Sequence, residues 1–141
     1  MEILCKYISA AIASLCALLC PIAPLITTAL LFISIDFVTG IMASRVVARR
    51  EGREWWIESR KAWRTVYKAG FTAMAIIMMW LIDSVLLGFM NLNIANMFTG
   101  FVCGVELWSF LENATTISDS PLFSWLSRWV KRRVTKEVDN E

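Results

Sequence analysis

The sequence has no histidine, only three prolines and six glycines, and charged residues fill just 18% of its 141 positions. Each scarcity closes off a class of function. Without histidine, the commonest general base and metal ligand is missing. The four cysteines, Cys5, Cys16, Cys20 and Cys103, lie in apolar stretches without a Cys-x-x-Cys pair, so neither thiol catalysis nor metal ligation has its usual spacing. The few glycines form no phosphate-cradling loop, and no Gly-x-Ser-x-Gly elbow sets a nucleophile beside a base. The sequence therefore predicts no enzyme, no metal and no cofactor.

What is abundant is apolar surface. Hydrophobic residues make up 57% of the chain, against roughly 45–50% in soluble domains, and the mean hydropathy is +0.58. A chain this short has too little interior to hide that surface, so lipid is the expected solvent. All but Lys6 of the fourteen Lys and Arg residues fall in two stretches, Arg45 to Lys68 and Arg128 to Lys136. Both stretches adjoin apolar runs and are interleaved with Trp. That placement is typical of a membrane boundary, and no nucleic-acid partner is expected.

The apolar runs predict an all-α integral membrane protein, a bundle of four transmembrane helices near residues 3–20, 25–44, 66–88 and 94–113. The first run has few charges before it and no cleavage pattern after it, which favours a retained helix over a signal peptide. If it stays out of the bilayer, three crossings remain. Pro21 and Pro24 mark a tight reversal at Cys20 to Pro24, and Asn91 to Asn93 a short external turn. Residues 45–64 form a basic connector, with Trp55, Trp56 and Trp63 at headgroup depth. Basic short loops stay in the cytoplasm, so four crossings put both termini there, and three would put the amino terminus outside. On this reading residues 1–114 are the membrane domain and 115–141 a cytoplasmic basic tail. Ser120 is the expected N-cap and Pro121 the first residue of a C-terminal amphipathic interfacial helix. In that helix Leu122, Leu126, Trp129 and Val130 form an apolar stripe. Arg128, Lys131 and Arg132 turn to an anionic inner leaflet, and Trp125 joins Trp129 at the interface.

Three acidic residues inside the apolar runs are the most informative. An ionised carboxylate at mid-bilayer costs at least ~2.5–3.5 kcal/mol and persists only with a partner or water. Asp36, Asp83 and Glu106 should therefore face the bundle interior. Asp36, Thr39 and Gly40 share one helical face, and Glu106, Ser109 and Asn113 another. Gly100 and Gly104 form a Gly-x-x-x-Gly pair projecting opposite Glu106, which gives that helix two packing faces and suits a homo-oligomer. The acidic residues either anchor a static bundle through interhelical hydrogen bonds or line a water-filled opening after assembly, and spacing alone leaves both readings open.

Taken in order, several segments resemble the phage holin family that also includes clostridial toxin-secretion holins. Ile35-Asp36-Phe37-Val38-Thr39-Gly40 resembles its Asp-x-x-Thr-Gly segment. Ser59-Arg60-Lys61 followed by Lys68 is similar to its Ser/Lys-rich approach to the next helix, and Leu81-Ile82-Asp83 to its apolar-Asp pair. Glu106-Leu107-Trp108-Ser109-Phe110-Leu111-Glu112-Asn113 resembles its Glu-x-x-Ser-x-x-Glu-Asn signature, and Pro121 opens a similar basic tail. Departures are a Trp-rich segment from Ala48 to Ile57 and Ala62 and Thr65 at usual Gly positions. The resemblance implies a protein that accumulates in the bacterial cytoplasmic membrane, oligomerises and opens lesions releasing a peptidoglycan hydrolase or toxin. It further implies that Asp36, Thr39, Asp83, Glu106, Ser109, Glu112 and Asn113 govern assembly or line the opening, while Gly40, Gly100 and Gly104 permit close packing.

Overall fold

The computed structural model describes residues 1–56, 59–90, 92–118 and 121–138, with side chains except at 15, 18, 122, 127 and 133–138. The expected N-cap Ser120 and the turn residue Asn91 lie outside the described residues. The chain is all-α, with five helices among the described residues: α1 (Glu2–Leu19), α2 (Ala23–Arg50), α3 (Ser59–Leu81), α4 (Ile94–Ser118) and α5 (Pro121–Val138). Three helical segments are long and apolar enough to cross a membrane: Cys20–Arg50, Ser59–Leu86 and Ile94–Ser118.

Helices α2 and α3 outrun their apolar blocks. The sequence places a connector from residue 45, yet α2 continues to Arg50 because Arg45 to Arg50 contains no helix breaker and its cations complement the carboxyl-terminal end of the dipole. It stops at Gly52, whose φ of +65° puts it in the left-handed region. The Gly52 N–H donates to the Arg49 carbonyl and the Arg53 N–H to the Ala48 carbonyl. These two bonds are the Schellman arrangement that satisfies a helix's last carbonyls. Likewise α3 begins at Ser59 rather than near residue 66, since Arg60 to Thr65 is charged but helix-compatible.

The tight reversal expected at Cys20 to Pro24 is instead a single 3₁₀ turn over Cys20–Ile22. Leu19, Cys20, Ile22 and Ala23 all keep right-handed helical backbone. Proline is tolerated there because it occupies early positions of the turn and of α2, where its missing N–H has no intrahelical acceptor. Every described side chain from Met1 to Ala17 is exposed, so α1 is not folded back into the bundle.

The core lies between α2 and α4, which pack most extensively, with α3 laid against both. On α2 the inward positions run Ala29, Ile33, Asp36, Gly40, Ala43 and Val47, alternating steps of four and three. Ala95, Thr99, Val102, Glu106, Ser109 and Asn113 repeat the pattern on α4. This is the spacing of a left-handed helix pair. Small residues dominate the seam, as expected where helices associate by close packing rather than by escape from water. Among the described residues, the largest fully buried apolar side chains are Ile33 on α2, Ile22 in the 3₁₀ turn and Ile76 on α3.

Candidate functional site

A polar cluster sits inside this seam, near the middle of α2 and α4. Glu106 on α4 is 2% exposed, and its Oε2 accepts a hydrogen bond from Lys68 Nζ on α3 at 2.6 Å. The same ammonium lies 3.9 Å from Asp36 Oδ2 on α2. The other Asp36 oxygen, Oδ1, accepts from Asn113 Nδ2 at 3.0 Å, and that amide also reaches Thr39 Oγ1 at 3.4 Å. Thr39 in turn donates to the carbonyls of Ile35 and Asp36 one turn back. One ammonium thus answers two carboxylates, and the cluster joins all three helices. Gly40 makes room for it, because a Cβ at that position would stand 3.6 Å from Asn113 Nδ2, ordinary contact that a longer side chain would turn into overlap.

Why these residues converge follows from helical spacing. Asp36 and Thr39 occupy adjacent turns of one face of α2. Glu106 and Asn113 lie seven residues apart, two turns on the facing stripe of α4. Lys68 is the last cation of the row Lys61, Arg64, Lys68, at i, i+3 and i+7 on α3. Its long stem lets the ammonium reach the buried acids while the side chain stays 45% exposed.

Sequence reasoning brought Asp36, Thr39, Glu106 and Asn113 forward, and the structure gathers all four. It missed Lys68 as a member of the site, assigning it to the basic approach to α3. The available signal was a single cation directly ahead of the uncharged run from Ala69 to Ile82, next to helices whose buried acids lacked a partner. Ser109 is half-buried one turn beyond Glu106 without a side-chain hydrogen bond among the described residues, and Glu112 is exposed.

Asp83 serves elsewhere. It lies in a π-helical turn over Ile82–Leu86 that closes α3, and its Oδ2 accepts the Ala95 N–H at 2.8 Å. The carboxylate thereby caps the first turn of α4, where unpaired donors and the positive dipole end favour an anion. Its Oδ1 is buried without a hydrogen-bond partner. Gly100 and Gly104 are exposed, and a Cβ at either would meet nothing within 4 Å. That face of α4 is vacant among the described residues.

A sequence profile of the bacteriophage holin family matches residues 13–132. The chain belongs to this holin family. The match starts inside α1 and ends inside α5, so it takes in every residue of the polar cluster, the cap at Asp83 and the open glycine face. No curated protein and no solved structure matches the chain. Holins are not an enzyme family, and family membership together with three spanning-length helices makes this a membrane protein.

At the cationic end of the bundle the connector folds back on α2. Trp55 Nε1 donates to Ser44 Oγ at 3.1 Å, and the Arg45 guanidinium lies 5.7 Å from the Trp55 ring centre. Trp56 and Trp63 are mostly exposed, the latter in a tilted pair with Tyr67. On α5, Trp125 and Trp129 are exposed, as are Arg128, Lys131 and Arg132.

Proposed function

We propose that this holin oligomerises in the bacterial cytoplasmic membrane and opens lesions through which a peptidoglycan hydrolase or toxin leaves the cell. Membership of the holin family over residues 13–132 carries this reading, and the distribution of charge supports it. With the basic connector in the cytoplasm, α2 runs inward, α3 outward and α4 inward, which delivers α5 to the inner leaflet. The cations of α5 then face anionic headgroups while Trp125 and Trp129 sit at interfacial depth.

The polar cluster is the clamp inside each subunit, and the vacant Gly100/Gly104 face of α4 is the contact between subunits. Because the carboxylates are already paired within one chain, they add little drive to bring a second copy in. A flat glycine surface in lipid does, since it allows backbones to approach closely. Self-sufficiency of the cluster also favours a second reading, a membrane scaffold, accessory subunit or small oligomeric channel that opens no lesion.

Controlled expression separates the two. The lesion reading expects loss of membrane potential and release of a co-expressed hydrolase. Accumulation over several generations with the potential intact and the hydrolase retained overturns it.

A further inference from the structure

We infer that the groove between the last turns of α2, the connector and the first turn of α3 holds one anionic phospholipid, its phosphate on Lys61 and Arg64 and an acyl chain along Phe37 and Ile41. The groove encloses about 540 Å³, with Phe37, Ile41 and Val47 on one wall and Trp55 on the other. Lys61 lines this groove and also an adjoining recess of about 420 Å³ with Arg64 and Lys68. The lining is graded along its length. From Phe37 to Ala48 it runs roughly 16 Å along α2 at 1.5 Å per residue, apolar at the membrane end and cationic at the boundary end. A lipid has the same gradient, and a soluble phosphate compound would leave the apolar half unfilled.

Charge sets the headgroup. Arg53 shares its guanidinium with Glu51, and Lys68 is committed to Glu106. Among the described lining residues of the two recesses, Lys61 and Arg64 then stand against Glu54 alone, a surplus of positive charge that favours a net anionic headgroup over a zwitterionic one. The pocket is also preformed, because Trp55 is pinned by Ser44 and Arg45 and the Schellman bonds at Gly52 fix where the connector leaves α2. A prearranged wall reduces the ordering cost that a binding lipid must overcome.

The test is native mass spectrometry of the full chain, delipidated in detergent and titrated with phosphatidylglycerol or phosphatidylethanolamine of identical acyl chains. The first phosphatidylglycerol should bind about fivefold or more tightly than the first phosphatidylethanolamine, the factor expected of one cation near a membrane surface. Lys61→Gln with Arg64→Gln, both on exposed positions, should bring the two lipids to within about twofold. Ile41→Trp, which fills the apolar half, should weaken both. Neutralising Arg128, Lys131 and Arg132 on α5 should leave the first-lipid preference unchanged. Equal affinity of the unaltered chain for the two lipids overturns the site, as does equal loss of preference in the α5 variant. Neither result bears on whether lesions form, so the lysis reading stands or falls separately.

Discussion

Replacing Lys68 with Gln removes the ammonium of the polar cluster and leaves the nearly inaccessible Glu106 carboxylate without this partner. Removing one member of a buried ion pair costs about 3–5 kcal/mol. Lys68 itself is 45% exposed, which lowers the expected loss to about 2–3 kcal/mol. Glu106→Gln is gentler, about 1 kcal/mol, because the amide oxygen still accepts a hydrogen bond and Asp36 still attracts the ammonium. At 3.9 Å against 2.6 Å, that attraction is about two-thirds as strong at equal dielectric. The double variant Lys68→Gln with Glu106→Gln should then be more stable than Lys68→Gln alone, since no unpaired charge remains at position 106. Unfolding of the detergent-solubilised chain in a denaturing detergent, followed through its tryptophans, measures all three. If the two single effects add to within about 0.5 kcal/mol, the residues are energetically independent and the clamp does not exist. Glu106→Leu should cost more than Gln, because Lys68 then loses its hydrogen-bond acceptor on α4, and equal stability of the Gln and Leu variants would take Glu106 out of the clamp.

The two glycine sites should respond oppositely. Gly100→Leu with Gly104→Leu meets open space within the chain, so monomer stability should hold or rise by up to ~1 kcal/mol per site while the cross-linking ladder collapses; a persistent ladder refutes that interface. Gly40→Ala should be tolerated, whereas Gly40→Leu, directed at Asn113, should cost about 1–3 kcal/mol by overpacking. Asp83→Ala should cost about 1 kcal/mol and speed hydrogen exchange in the first turn of α4, and unchanged exchange there would remove the cap. Gly52→Ala should cost about 1 kcal/mol through its left-handed backbone alone, read as faster exchange at Arg53, since nothing else crowds the position.

Much of this architecture was legible because lipid imposes simple rules. Uninterrupted apolar runs predicted α2, α3 and α4, and the cost of bare carboxylates predicted that Asp36 and Glu106 turn inward, as they do. Element ends were harder. The helix α2 was expected to end with its apolar run, although Arg49 and Arg50 followed by Gly52 carry the signals of a later stop. Lys68 was missed because a lysine amid seven other basic residues reads as boundary charge, and only the path of α3 brings it to Glu106, thirty-eight positions away. The openness of α1 was not legible, since a lipid-facing helix and a packed one have the same composition when the surrounding solvent is apolar.

The cluster and the glycine face occupy opposite sides of α4, and this constrains how a lesion forms. Separating α2 from α4 would expose Asp36 and Glu106, which lipid cannot solvate, so that route requires water to enter the seam as it opens. Association through Gly100 and Gly104 leaves the seam shut. The two routes differ at Ser109, half-buried on the seam and without a side-chain hydrogen bond among the described residues, where a cysteine disturbs little. In assembled membranes Ser109→Cys should react with a water-soluble maleimide far more slowly than Glu54→Cys on the exposed connector. Comparable rates at the two positions would mean that water fills the seam, and the acidic residues would then line the opening instead of closing it.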